Sequence, residues 1–205
     1  MRGLEQIPWL YDGACALLEW TGLGRWRSRL CEGARGRILD VGCGTGRNLP
    51  LLPPGSFGID PAGDPLRRAR RRAPGARLVQ ASVEALPFRA GVFDTVVSGL
   101  VFCSVDHPAR GLAEVRRVLG SGGSLRMLEH VRSERPRWAR WQDRLQPLWT
   151  RISGGCRPNR DTERAVAAAG FLVDAATRRA RGNMRRLVAR AGSATDAVAG
   201  AERSG

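Results

Sequence analysis

Two acids and a glycine turn carry the first chemistry in this chain. In the run from Ile38 to Asn48, ILDVGCGTGRN, Asp40 stands just before Gly42, Gly44 and Gly46. Glycines at alternate positions let the backbone bend sharply and come close to a ligand. Arg47 to Leu52 can then open a helix whose first N–H groups have no partner inside the helix. A buried strand, a glycine turn and a helix start suit a nucleotide-like ligand. The spacing is G-x-G-x-G, and Arg47 fills the place of the last glycine in the dinucleotide pattern G-x-G-x-x-G. A phosphate loop needs a lysine, and the chain contains none. Asp40 would repel a pyrophosphate but suits a ligand carrying a cationic amine. Asp60 follows about twenty residues later, where a Rossmann-type unit places the carboxylate that accepts hydrogen bonds from ribose hydroxyls.

Histidines are the other reactive candidates. His130 closes the segment SLRMLEH, at the carboxyl end of an expected strand, where open α/β sheets bind their ligands. It is the candidate to orient or deprotonate a substrate. His107, beside Pro108, is a weaker candidate in a loop. The five cysteines, Cys15, Cys31, Cys43, Cys103 and Cys156, include no pair at the close spacing of a zinc or redox motif. No metal site is expected from that spacing, and reduced thiols in a cytoplasmic setting are the simplest reading.

The elements that must hold these residues alternate between strands and helices. Ile38–Val41, Ser56–Asp60, Arg77–Ala81, Phe93–Val97 and Ser124–Leu128 read as short strands, with Phe171–Ala176 and Asn183–Ala189 closing the chain. Asp64–Ala73 and Pro108–Leu119 read as amphipathic helices, and Gly120–Gly123 as a break. The arginines of Asp64–Ala73 are expected on a solvated face. Residues 4–30 read as one or two helices, a flap over the ligand or a packed helix. From Gly192 the small and polar residues suggest a disordered tail. Residues 132–152 form an insertion in which Trp138, Trp141, Leu145, Leu148 and Trp149 recur at helical spacing. Pro147 is expected to kink or end that helix. All six tryptophans lie in this insertion or in residues 4–30. An aromatic-walled cap admitting an apolar substrate is the expectation, and an arginine–tryptophan helix can also lie on a membrane surface.

At 205 residues with 42% hydrophobic content the chain suits one domain with a full core. Its formal charge of +15 invites a nucleic-acid or anionic-membrane partner. Every basic residue counted in that charge is arginine, a bias that GC-rich coding also produces, and no recognition motif accompanies the charge. Nucleic acid is therefore not the expected substrate. No apolar run reaches the length of a membrane span, and no basic-then-apolar leader opens the chain.

The stretch ILDVGCGTGRN resembles motif I of the class I S-adenosylmethionine-dependent methyltransferases. RVLGSGGSL is similar to that family's RVLKPGGxL, with Ser121 in place of proline, and ASVEALPF to its GDAExLPF, with Ser82 in place of aspartate. MLEHV, Trp141-Gln142 with Pro147 and Trp149, and Gly155-Cys156 with Arg160 look like elements of the thiol methyltransferases of the methyltransferase-like group. The segment SGLVFCSV departs from the N/D-P-P-Y/F signature of adenine and amide methylation.

The resemblance implies a Rossmann-like α/β fold, a seven-stranded, mostly parallel sheet with helices on both faces. The methyltransferase domain would span 31–191, with a 1–30 flap, a 132–152 cap and a 192–205 tail. It implies S-adenosyl-L-methionine as cofactor, held by Asp40, Gly42, Cys43, Gly44, Thr45, Gly46 and Asn48 around the methionine part. Asp60 and Pro61 would sit at the ribose, Ser82, Val83 and Glu84 at the adenine, and Gly99 beside them. The expected activity is methyl transfer to a small apolar acceptor, a thiol first, with phenol, quinone, amine or phospholipid head group as other acceptors. His130 is the expected base where the acceptor needs one. Two alternatives stay open, a non-enzymatic basic binding protein on the same fold and, less well matched because of Arg47, an NAD-dependent oxidoreductase.

Overall fold

The computed structural model describes residues 22–153 and 155–192. The expected helical flap before residue 22, Gly154 and the tail beyond Gly192 lie outside the described residues. The chain forms β1 (Ile38–Val41), β2 (Phe57–Asp60), β3 (Arg77–Gln80), β4 (Phe93–Gly99), β5 (Leu119–His130), β6 (Phe171–Val173), β7 (Arg179–Arg181) and β8 (Met184–Ala191). The helices are α1 (Gly24–Cys31), α2 (Gly63–Arg72), α3 (Pro108–Val118), α4 (Pro136–Ile152) and α5 (Thr162–Ala168).

One sheet takes the order β3-β2-β1-β4-β5-β8-β6, with β7 paired to β8. β1 to β5 run parallel, and β8 enters antiparallel beside β5. The sheet therefore has eight strands rather than the expected seven. The extra one, β7, is a fully exposed Arg-Ala-Arg edge with no apolar alternation to reveal it.

β1 lies at the centre because Ile38, Leu39 and Val41 are apolar and the strand is buried along its whole length. Parallel strands covered on both faces read this way. The strand order reverses at β1, which pairs with β2 on one side and β4 on the other. A crevice opens at such a switch point, outside the carboxyl ends of the strands. Asp40 and the glycine turn stand at that end of β1, Asp60 at that end of β2 and Gly99 at that end of β4.

One apolar cluster includes Leu39, Val41, Ile59, Phe93, Val96, Leu112 and Leu125. The other joins α1 to the sheet through Leu30, Cys31, Ile38, Leu49, Val97 and Leu128. Phe88, from the ALPF segment, meets Phe93 edge to face with centroids 4.9 Å apart, a favoured aromatic geometry.

Local expectations needed three further corrections. Arg47–Leu52 opens no α-helix, only a 3-10 turn at Leu49–Leu51. Pro50 sits within that turn and Pro53 and Pro54 follow it, which stops propagation. The Gly120–Gly123 break is absorbed as a bulge, since Phe93 pairs with Leu119 and Thr95 next pairs with Ser124. α4 runs through Pro147 to Ile152. The carbonyl that Pro147 leaves unpaired belongs to Asp143, and both residues are exposed, so water can satisfy it.

Candidate active site

The glycines of the turn divide their work. A Cβ on Gly42 would lie 2.6 Å from the Val101 side chain, and one on Gly46 would lie 2.8 Å from Ala69. Those positions are closed by packing. Gly44 has φ +52 and nothing within 4 Å of where its Cβ would be. It is the open side of the turn and the place where a ligand can approach backbone. Cys43 and Thr45 between them are buried. Cys43 N–H donates to Ile59 O at 2.8 Å. Arg72, at the end of α2, donates to Thr45 O at 2.6 Å and to its hydroxyl at 2.9 Å. Arg72 thus braces the turn while staying exposed, as expected for this arginine-rich face.

Asp40 is fully buried. Its Oδ1 accepts from Asn48 Nδ2 at 3.0 Å, and Asn48 Oδ1 accepts from Arg27 Nη1 at 2.9 Å. The other oxygen, Oδ2, is buried with no hydrogen-bond partner. Burial pushes the carboxyl up to about 7, while the Asn48 hydrogen bond and the Arg27 charge pull it down and Asp60 pushes it up. An unpartnered buried carboxylate oxygen is costly, and a cationic amine would relieve that cost. Asn48, itself buried, positions Asp40. Arg27 had no signal in the sequence, because its partner lies 21 residues away.

Asp60 is half-buried. Its Oδ2 accepts from Gly44 N–H at 3.0 Å and its Oδ1 from Ala62 N–H at 2.9 Å. One backbone donor on each oxygen leaves further lone pairs for ligand hydroxyls. Burial raises its pKa, against those two bonds. Pro61 is exposed, and its carbonyl accepts from Gln80 at 2.9 Å. Ser82 Oγ accepts from Glu84 N–H at 3.1 Å, so one of its lone pairs is taken by its own turn. Val83 is buried. Glu84 Oε1 accepts from the backbone of exposed His107 at 3.0 Å. Gly99 allows close contact with Asn48, whose Nδ2 would lie 3.0 Å from a Cβ there.

Beyond β4 a second group assembles. Glu129 is buried, and its carboxylate accepts from Ser98 Oγ and from the backbone N–H groups of Val101, Phe102 and Cys103 at 2.9–3.2 Å. Burial raises its pKa while those bonds lower it. It fixes the loop that follows Leu100, a non-glycine residue at φ +64. His130 is half-buried, with Nδ1 3.6 Å from Cys156 Sγ. Cys103 joins them, and one ligand atom from each of the three residues lies within 4.8 Å of the others. A hydrogen bond with Cys103, then contacts with His130 and Trp149, lower the Cys156 pKa against its burial, and the Cys103 pKa is raised. Close spacing could not reveal this group, since His130 and Cys156 are 26 residues apart. A separate cavity of about 250 Å³, lined in part by Glu134, Glu163, Arg178 and Arg185, carries charges already paired with one another.

Residues 39–127 match the family model described as a methyltransferase domain. The chain is 39% identical over 153 residues to thiol S-methyltransferase TMT1B of Homo sapiens, covering 68% of this chain and 62% of that one. It is 38% identical over 144 residues to thiol S-methyltransferase TMT1A of Homo sapiens, covering 65% and 59%. The chain belongs to the class I S-adenosylmethionine-dependent methyltransferases. The fold agrees, with a TM-score of 0.72 and 21% identity to an S-adenosylmethionine-dependent methyltransferase of Thermotoga maritima, over 91% of this chain and 96% of that one. The chain spans 62% and 59% of the two human relatives' own lengths.

The cofactor of this methyltransferase family fits the residues present. Asp40 Oδ2 offers an unsatisfied acceptor to the methionine amine, and Gly44, four residues on, leaves backbone open. Asp60 has free lone pairs at the distance along the chain where ribose is held. Among the described residues, no helix is long and apolar enough to cross a membrane.

Proposed function

We propose that this chain binds S-adenosyl-L-methionine across β1, β2 and β4 and methylates a small apolar thiol. The observations that carry the cofactor reading are the buried, unpartnered Oδ2 of Asp40 and, four residues on in the same turn, the open Gly44. The thiol acceptor rests on the relatives named thiol S-methyltransferase.

When bound, the cofactor supplies a methyl group on a sulfonium, which an acceptor attacks in line from the opposite side. The protein's residues orient and enclose that step. Asp40 holds the amine, with Asn48 and Arg27 fixing its carboxylate. Asp60 and Pro61 hold the ribose, while Ser82 and Val83 line the adenine, with Glu84 tying that loop to His107. Holding the two reactants in line lowers the barrier by removing translational and rotational freedom. We assign the loop fixed by Glu129, together with His130 and Cys156, to the acceptor side, because they gather at the carboxyl ends of β4 and β5. A thiol needs little further activation, because its thiolate is accessible near neutral pH.

Transfer of isotopically labelled methyl from S-adenosylmethionine to a panel of alkyl thiols, phenols and amines tests the reading. Label on thiols ahead of the other classes is expected. Label on phenols or amines alone would transfer the acceptor role to those groups. A complete lack of transfer by cofactor-bound protein would remove the enzyme reading. His130→Ala should lower turnover, and undiminished turnover would remove His130 from the acceptor site.

A further inference from the structure

We propose that Cys103, His130 and Cys156 form a site for a soft divalent cation of the zinc class, with a fourth position open to the acceptor thiol. The metal site stands on geometry alone; its use by the acceptor rests on the function proposed above.

The three residues come from three different segments. Cys103 lies in the loop after β4, His130 is the last residue of β5, and Cys156 lies between α4 and α5. Backbone contacts fix their spacing. Arg157 N–H donates to Cys103 O at 2.7 Å, and Cys103 N–H donates to Glu129 Oε2 at 3.2 Å. Arg160 donates to the carbonyls of Phe102 and Val105 at 2.7 and 2.6 Å, so the two cysteine loops are tied twice.

The distances suit tetrahedral coordination. With Zn–S of about 2.3 Å and Zn–N of about 2.0–2.1 Å, a sulfur and a nitrogen on one zinc sit about 3.6 Å apart. His130 Nδ1 and Cys156 Sγ are 3.6 Å apart, and Cys103 completes a set of atoms within 4.8 Å of one another. Two thiolates and an imidazole select zinc over magnesium or calcium. Cys103 is 1% exposed and Cys156 7%, while His130 is half-buried, so the set opens on the histidine side. The nearest acid in the chain, Glu129, is already committed to four hydrogen bonds. Three protein ligands and one open position are the arrangement of reactive zinc sites, whereas structural sites close with four.

Such a site would hold the acceptor as thiolate at pH values where most of the free thiol is still protonated. The thiol coordinates as thiolate and releases its proton to solvent. A sulfur lone pair then forms the bond to the methyl carbon as the carbon–sulfonium bond breaks. That electron pair stays on the departing S-adenosylhomocysteine. The zinc keeps its oxidation state throughout.

The full chain, reduced with a phosphine that supplies no thiol and stripped by a chelator, is titrated with Co²⁺ under argon. One equivalent should bind with thiolate-to-cobalt charge-transfer bands and the intense ligand-field bands of tetrahedral cobalt, and Zn²⁺ should displace it. Cys156→Ser and Cys103→Ser should lose most of the charge-transfer intensity, while Cys31→Ser keeps it. His130→Gln, at a half-exposed position, should weaken Co²⁺ binding at least tenfold with an unchanged far-ultraviolet spectrum. Propanethiol should shift the bands by entering the fourth position. Absence of thiolate bands in the folded wild type, or bands unchanged in Cys156→Ser, would overturn the metal site. So would a Cys103–Cys156 disulfide whose reduction brings no metal uptake. Bands that propanethiol leaves unmoved would overturn the acceptor's place on the metal. S-adenosylmethionine binding measured on the same samples separates this outcome from failure of the cofactor reading.

Discussion

Buried Asn48 donates its side-chain amide to Asp40 of β1 at 3.0 Å, leaving the other Asp40 oxygen bare. Arg27 completes the chain of contacts by donating to Asn48 at 2.9 Å. Asn48→Ala would remove the hydrogen-bond partner of a fully buried carboxylate. Losing such a partner costs about 1–3 kcal/mol. The variant should therefore unfold at lower urea concentration and bind S-adenosylmethionine more weakly, on the order of tenfold. Wild-type affinity in Asn48→Ala would show that Asp40 needs no support to hold the amine.

Asp40 also sets a pH dependence. Its carboxyl is pushed up to about 7 by burial, with Asn48 and Arg27 opposing and Asp60 reinforcing. A cationic amine requires the ionised form. As pH falls below about 7 the carboxyl holds a proton that must leave on binding, so affinity should fall toward tenfold per pH unit. Ligand-free stability runs the other way. The folded chain binds that proton more tightly than the unfolded chain, so this contribution is present at low pH. It is lost as pH rises from about 4 through about 7. Asp40→Asn should bind weakly and lose most of the affinity slope, while the stability slope keeps the contributions of Asp60 and Glu129, whose pKa values are also raised by burial. Calorimetry and thermal melts between about pH 5.5 and 8 measure the two trends, and a pH-independent affinity in wild type would contradict the assignment.

The parts of the fold legible in the sequence are those whose signal is local. β1, its glycine turn and Asp60 fall within 23 residues, Ile38 to Asp60, and the short apolar run, glycine spacing and acid placement all agree there. What escaped is carried by distant contacts. Arg27 gains its role only when α1 packs on the 3-10 turn. Cys103, His130 and Cys156 meet because the loop after β4, the end of β5 and the segment between α4 and α5 converge, which no close spacing records. Pro147 does not end α4, as one half of its expectation had it, because the carbonyl it leaves unpaired lies on an exposed face where water can reach it. β7 was missed because an exposed, arginine-rich edge has no apolar face.

Glu129 should matter more for stability than for affinity. One buried carboxylate accepts from Ser98 and from three successive backbone N–H groups, at Val101, Phe102 and Cys103. Glu129→Ala leaves those donors without their acceptor, at about 1–3 kcal/mol each before relaxation. A loss of about 3 kcal/mol or more by urea denaturation is expected. A loss under about 1 kcal/mol would mean that the loop after β4 is held by other contacts.

The exposed stripe of α4 can be tested through the acceptor. Trp138, Trp141 and Trp149 are 62%, 55% and 47% exposed, which fits the rim of an apolar site better than a packed core. Trp141→Ala should raise the acceptor's KM severalfold and leave the cofactor's Kd unchanged. An unchanged KM would take α4 out of the acceptor site.

Titration calorimetry of S-adenosylmethionine and S-adenosylhomocysteine, on wild type and Asp60→Ala, tests the central claim most directly. Asp60 accepts from Gly44 and Ala62 and keeps lone pairs for ribose hydroxyls, and a hydrogen bond to a charged group is worth about 1.5–3 kcal/mol. One site per chain is expected, with affinity at least tenfold weaker in the folded variant. No binding of either ligand by folded wild type, or equal affinity in Asp60→Ala, would contradict the account.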